Sequence, residues 1–208
     1  MEKVIVNHKR TKVVFDTEKR IYTKYFYPKY DKRLKCFLGF RKYPGRNYKY
    51  ISDILEKDGI KVAEVVDFDK YSVSTKEING KDLSEELINS EKERGKELIN
   101  KYVEIVSKII NLGIYFGDFN FDNFIVYQNE LYAIDLEDYR KDFFSAYRKK
   151  SLIKRLKRQL VERTEIIGKM SDFYDGNNVF NEIEKRLKGA VANWWFLIIN
   201  LLSSFSFE

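Results

Sequence analysis

Cysteine and histidine are almost missing from this 208-residue chain, with Cys36 and His8 the sole example of each. One thiol cannot close an internal disulfide, and one thiol with one imidazole cannot complete a Cys/His zinc site. Proline is scarce at two residues, and no Ser/Gly-rich run interrupts the sequence, so no linker or disordered tail stands out. Met1 to Arg10 is charged and has no long apolar core, so no signal peptide is read there. No internal repeat is visible. No apolar run reaches the ~20 residues that a membrane span needs. The nearest, Val191 to Leu202, is broken by Asn193 and Asn200 and predicts a buried closing helix, with shallow interfacial insertion as the alternative. These absences point to a reducing, cytoplasmic setting.

Hydrophobic residues make up 44% of the chain, enough to build one compact unit or two small lobes with a shared core. Lys and Arg outnumber Asp and Glu by 39 to 32, a net charge of +7 that favours an anionic partner. Charge does not choose between a nucleotide, a phosphorylated sugar, a nucleic acid and a lipid headgroup. The aromatic residues sit inside apolar patterns, which suits packing better than base stacking. No nucleic-acid recognition motif is present, so no nucleic-acid partner is expected.

Three strands are predicted first: Val4–Val6, Lys12–Phe15, and Arg20–Phe26 after a turn at Asp16–Lys19. In the third, Tyr22, Lys24 and Phe26 share one face and Ile21, Thr23 and Tyr25 the other. A helix follows over Asn47–Lys57 with Tyr50, Ile51, Ile54 and Leu55 apolar, stopped at Asp58–Gly59. Ile60–Phe68 and Lys70–Glu77 read as two more strands. Beyond them, Lys81–Ile88 reads as a short helix. Glu91–Leu112 reads as a long one, with Leu98, Tyr102, Ile105, Val106 and Ile109 at helical spacing. Ser151–Ile167 is a further helix, with Leu152, Leu156 and Leu160 on one side. Arg148, Lys149, Lys150, Lys154, Arg155, Lys157 and Arg158 make its surroundings basic, either as a solvated face or as a contact for an anionic acceptor or membrane. The chain then turns at Asp175–Asn178 and restarts a helix at Glu182.

The most informative stretch is Gly113-Ile-Tyr-Phe-Gly-Asp-Phe-Asn-Phe-Asp-Asn-Phe-Ile-Val126, closed by Ala133-Ile-Asp-Leu-Glu-Asp138. Asp118 and Asn123 have the Asp-x-x-x-x-Asn spacing of a kinase catalytic loop. Asp135 follows the next strand, as a metal-binding aspartate does in phosphoryl-transfer sites. Phosphoryl transfer needs a held triphosphate, magnesium and a positioned hydroxyl rather than covalent help. Asp118 would accept or orient the acceptor proton. Asn123 and Asp135 would offer the hard oxygens that Mg2+ prefers. Lys24 would hold the nucleotide phosphates, with Lys12 a weaker candidate. An ordinary edge lysine in a strand and chance Asp/Asn turn formers are the bland alternatives. The ordered series of long helix, Gly-Asp loop, hairpin and Ile-Asp-Leu favours the kinase reading.

The loop resembles the Gly-x-x-His-Gly-Asp-x-x-x-x-Asn-Phe-x-Val loop of the lipopolysaccharide core kinases, and Ala133-Ile-Asp-Leu-Glu-Asp138 is similar to their metal-binding segment. Leu55-Glu-Lys-Asp-Gly-Ile-Lys-Val62 is similar to their helix-to-strand join, and Glu77-Ile-Asn-Gly80 looks like their hinge. The resemblance covers most of Thr11 to Arg140. It implies an α+β, two-lobed, protein-kinase-like fold, with residues 1–79 as a small nucleotide-covering lobe and 80–208 as a helical catalytic lobe. It implies ATP and Mg2+ as cofactors, with Lys24 and Glu77 on the nucleotide and Asn123 and Asp135 on the metal. The acceptor would be a heptose or Kdo sugar of the lipopolysaccharide inner core, of the heptose(II) kinase type. The place of action would be the cytoplasmic face of the inner membrane, with peripheral contact through the basic 148–158 region. Three departures stand out. Phe116 replaces the family's histidine, Asn7–Thr11 has no glycine, and no helix glutamate is placed to pair with Lys24, Asn47, Asp53 and Glu56 being the polar candidates. A small atypical protein kinase and a non-catalytic pseudokinase scaffold stay open as alternatives.

Overall fold

The computed structural model describes residues 1–115, 117–141, 145–162, 170 and 172–187. The chain divides into two compact units, Met1–Glu86 with Phe116–Asp142, and Leu87–Tyr115 with Phe143–Glu208. Phe116, residues 163–167 of the expected basic helix, and the Val191–Leu202 run lie outside the described residues.

The first unit opens with β1 (Glu2–His8), β2 (Thr11–Asp16) and β3 (Ile21–Phe26), close to the expected spans. Asp16 closes the second turn, its carboxylate accepting the backbone N–H groups of Glu18 at 3.0 Å and Lys19 at 3.2 Å. Next comes α1 (Tyr30–Phe37), a helix that sequence periodicity does not reveal. Cys36 is its one buried residue, so it has no apolar core stripe to read. Helix α2 (Pro44–Lys57) starts three residues before the expected Asn47, with proline in its first turn where a missing N–H costs nothing. Its buried face runs through Asn47, Tyr48, Ile51, Ser52 and Leu55, leaving Tyr50 and Ile54 at the margin.

The strand expected over Ile60–Phe68 is two strands serving different sheets. They are β4 (Lys61–Val62) and β5 (Val65–Phe68). β6 (Ser72–Lys76) then completes an antiparallel sheet of order β1-β2-β3-β6-β5. Lys81–Asp82, expected to open a helix, instead forms β7, and α3 (Leu83–Ile88) follows it. Long-range pairing decides this, because Lys81 and Asp82 face Val126 and Ile125 of β8 (Phe124–Tyr127). With β9 (Glu130–Ala133) the second sheet has the order β4-β9-β8-β7. The β8–β9 turn uses positive φ at Gln128 (48°) and Asn129 (65°), the backbone a two-residue hairpin requires.

Two glycines of this unit separate two kinds of constraint. Gly59 has φ +76° but open space around it, so Gly59→Ala costs about 1 kcal/mol through backbone strain. Gly45 sits where a methyl would drive into the carbonyl oxygens of Ser72 and Asp69. Those are backbone atoms and cannot swing aside, so Gly45→Ala costs roughly 3 kcal/mol, the upper end for overpacking. Thermal unfolding of the two variants should rank them in that order.

In the second unit, α4 (Lys92–Asn111) buries Leu98, Tyr102, Val106 and Ile109 at helical spacing. Gly113, at φ +73°, stops it. α5 (Ser145–Val161) buries Leu152, Leu156 and Leu160 and leaves Lys154, Lys157 and Arg158 exposed. Residues 176–187 are helical. Asp175 caps them through the N–H groups of Asn177 at 2.8 Å and Asn178 at 3.3 Å. Among the described residues no helix is long and apolar enough to cross a membrane.

Candidate functional site

The loop from Gly117 to Asn123 is fixed by its own backbone. After Asn120 it winds into a 3-10 turn, Phe121–Asn123, and the Asn123 N–H donates to the Asn120 carbonyl at 3.0 Å. The Asn123 Nδ2 donates to the Asp118 carbonyl at 2.7 Å. That contact uses the amide's donor end and leaves Oδ1 as the oxygen a cation would meet. The Asn123 carbonyl in turn accepts the Ile134 N–H at 3.0 Å, so one residue ties Asp118 to the strand end that leads into Asp135. From the other side, Ser84 donates its hydroxyl to the Asp122 carboxylate.

Asp135 has φ +58° and ψ 45°, left-handed for a residue with a side chain, and a 3-10 turn follows over Leu136–Asp138. Such a conformation costs on the order of 1 kcal/mol and persists where the surroundings impose it. Asn47 on α2 holds the backbone that follows Asp135. Its Nδ2 donates to the carbonyls of Glu137 at 3.1 Å and Tyr139 at 2.8 Å. Tyr139 is buried beneath the loop, with Phe119 edge-on at 5.6 Å, and Gly117 leaves room for its ring. Burial pushes the Tyr139 phenol well above its ordinary range, and the nearby carboxylates of Asp118, Asp135 and Glu137 push the same way. Among the described residues its hydroxyl has no hydrogen-bond partner. One buried phenol therefore lies within electrostatic reach of all three acids.

Lys24 faces Val13 and Val73 across the sheet. Its Nζ lies 2.6 Å from Glu137 Oε1 and 3.0 Å from Asp135 Oδ1. Burial works against the ammonium charge. The two carboxylates, Glu137 foremost, overcome it and hold the Lys24 pKa above its usual value. The Glu137 carboxyl is raised by burial and by Asp135, against the pull of Lys24. These directions agree: one cation is shared between two acids, so the buried acid is incompletely compensated.

Lys24 and Asp135 both line a pocket of about 570 Å³, within the usual range for small-molecule sites. The first sheet contributes Val6, Val13, Tyr22 and Val73, and the second contributes Ile125. Tyr48 of α2 and residues 77–80 also border it. The glycine-free β1–β2 hairpin covers one side with His8 and Thr11. Glu77 borders the pocket as well, but its carboxylate is engaged by Arg20 Nε at 2.7 Å, so its backbone is the part suited to a ligand.

The structure thus joins Lys24 to Asp135, and Asn123 to Asp118. Among the described residues no three His, Cys, Asp or Glu side chains form a metal cluster. A magnesium ion here would lean on Asp135, Asn123, phosphate oxygens and water, the sparse set that suits it. Residues missed by sequence reasoning are Glu137, Tyr48 and Tyr139. Asn47 reads in the sequence as a polar candidate to pair with Lys24, whereas its side chain bonds backbone carbonyls. A polar residue on the buried face of α2 was the available signal for it.

No family model matches the chain, and no curated protein matches it. Among solved structures it is similar to the Rio2 kinase of Chaetomium thermophilum, solved as an ADP/Mg2+-phosphoaspartate complex. That match has a TM-score of 0.54 at 11% identity, over 92% of this chain and 69% of that one. It is also similar to Rv3197 of Mycobacterium tuberculosis, solved with erythromycin, at a TM-score of 0.50 and 15% identity over 81% of this chain and 53% of that one. The fold is therefore α+β and protein-kinase-like.

Proposed function

We propose that the protein is an ATP- and Mg2+-dependent phosphotransferase whose acceptor is a sugar hydroxyl, a heptose or Kdo of the lipopolysaccharide inner core. The observation that supports this most is the pairing of a strand lysine with an Ile-Asp-Leu aspartate, Lys24 to Asp135, at the wall of a nucleotide-sized pocket. The similarity to Rio2 kinase, whose structure holds ADP and Mg2+, agrees with it. Bound MgATP would supply the phosphoryl group and the charge that shields it. Lys24 would hold phosphate oxygens, Asp135 and Asn123 would hold the metal, and the Glu77–Gly80 backbone would border the base. Asp118 would orient the acceptor hydroxyl and take its proton as the oxygen bonds to the γ-phosphorus and the bond to the bridging oxygen breaks, ADP leaving.

The acceptor assignment rests on the loop resemblance and on charge. A net charge of +7 suits an acidic glycolipid. The exposed cations of α5 suit contact with anionic headgroups. So does α1, where Tyr30, Leu34 and Phe37 are exposed beside Arg33 and Lys35.

Incubation with labelled ATP, Mg2+ and dephosphorylated core oligosaccharide should place the label on a sugar hydroxyl. Label on protein substrates and none on sugar would show a protein kinase instead. Nucleotide binding that ignores Mg2+, with no turnover on any acceptor, would show a non-catalytic scaffold.

A further inference from the structure

Helix α2 supplies no carboxylate to Lys24, although in protein kinases an acid from the corresponding helix pairs with the strand lysine. Of its two acids, Asp53 is paired with Lys49 on the same helix, and Glu56 is exposed. The helix presents Tyr48 to the pocket instead. Lys24 finds its acids on the segment after β9.

The two acids differ in three ways. Glu137 Oε1 is the nearer, at 2.6 Å against 3.0 Å for Asp135 Oδ1. The Glu137 side chain is 18% exposed and that of Asp135 is 51% exposed. Asp135 lines the 570 Å³ pocket beside Lys24, whereas Glu137 lines a separate, smaller pocket bounded by Lys32, Cys36 and Arg41. One acid thus borders the larger pocket with the ammonium, and the other borders a different one. The backbone bearing Glu137 is gripped by α2, through Asn47 Nδ2 on its carbonyl at 3.1 Å.

We propose that Glu137 is the standing partner of Lys24, replacing the missing helix acid, and that Asp135 is the exchangeable one. This rests on the kinase reading above. A lysine ammonium has three donors. On binding of a magnesium nucleotide, Asp135 turns its carboxylate to the cation and the donor it releases goes to a phosphate oxygen. Glu137 keeps its own donor and holds the stem in place. The helix still positions the lysine, but through the backbone at Glu137. Glu137 is therefore a positioning residue and touches neither nucleotide nor metal.

The test is calorimetric titration of the full chain with ADP, with and without MgCl2, for the wild type, Glu137→Gln and Asp135→Asn. Glutamine keeps the shape of the side chain, and a thermal melt confirms folding. Glu137→Gln should weaken ADP roughly tenfold both with and without Mg2+, about the effect of losing one charge-assisted contact. Asp135→Asn should remove the increment that Mg2+ adds. If Glu137→Gln binds ADP like the wild type, the inference fails while the kinase reading stands. If it loses only the Mg2+ increment, Glu137 is a metal ligand and the inference is again wrong. If the wild type binds no ADP under either condition, the kinase reading fails and this inference falls with it.

Discussion

Asp118→Ala should lower the turnover number for phosphoryl transfer by about three orders of magnitude, within the range for a lost general base. Its effect on KM for ATP should be small by comparison, because Asp118 is assigned to the acceptor and not to the nucleotide. The contact with Asn123 survives the change, since it is made by the Asp118 backbone carbonyl at 2.7 Å and that carbonyl is kept in alanine. Steady-state kinetics separates the outcomes. A fall in kcat with KM for ATP nearly unchanged marks an interaction made in the transition state. A variant with full activity would remove Asp118 from the chemistry.

Lys24→Met has the larger structural cost. It leaves Glu137, 18% exposed, without the cation that faces it, and Asp135 loses the same partner. Breaking such a pair by removing one member costs about 3 kcal/mol. Nucleotide affinity should fall with it, because the same ammonium is assigned to phosphate. The pH dependence follows from Glu137. Burial foremost, then Asp135, raises its folded pKa above the unfolded value, and Lys24 is the opposing influence. A group raised in this way adds stability below its unfolded pKa and loses it as pH rises through the folded value. Without Lys24 that loss deepens. The deficit of Lys24→Met should therefore be largest where Glu137 is ionised and should shrink as falling pH protonates it. Urea unfolding of both proteins across that range measures it. A deficit that is constant with pH would mean that packing of the lysine stem, rather than its charge, is what the substitution removes.

Much of the first unit was legible in the sequence because its signals are local. Alternation in Ile21–Phe26 placed Lys24 on a face with Tyr22 and Phe26. That arrangement is present, with Tyr22 lining the pocket and Phe26 at 5.9 Å from the lysine nitrogen. Asp118, Asn123 and Asp135 were legible by spacing. What was hidden depends on contacts distant in the chain. Lys81–Asp82 has no strand character of its own and is a strand only because β8 is beside it. α1 buries one residue, so no periodicity marks it. Glu137 reads as one acid among several in Ile-Asp-Leu-Glu-Asp, and only its 2.6 Å approach to a lysine 113 positions earlier sets it apart. Asn47 was legible as a polar residue but not as a clamp, because its partners are carbonyls that no sequence pattern encodes.

Lys24, Asp135, Asn123 and Asp118 are proposed to form one magnesium-nucleotide site. A crystal structure of the full chain with ADP and Mg2+ tests it most directly. The ion should lie by the Asp135 carboxylate and Asn123 Oδ1, a phosphate oxygen within hydrogen-bond distance of Lys24 Nζ, and the base against residues 77–80. A nucleotide bound elsewhere, or an ion held without Asp135, would contradict it.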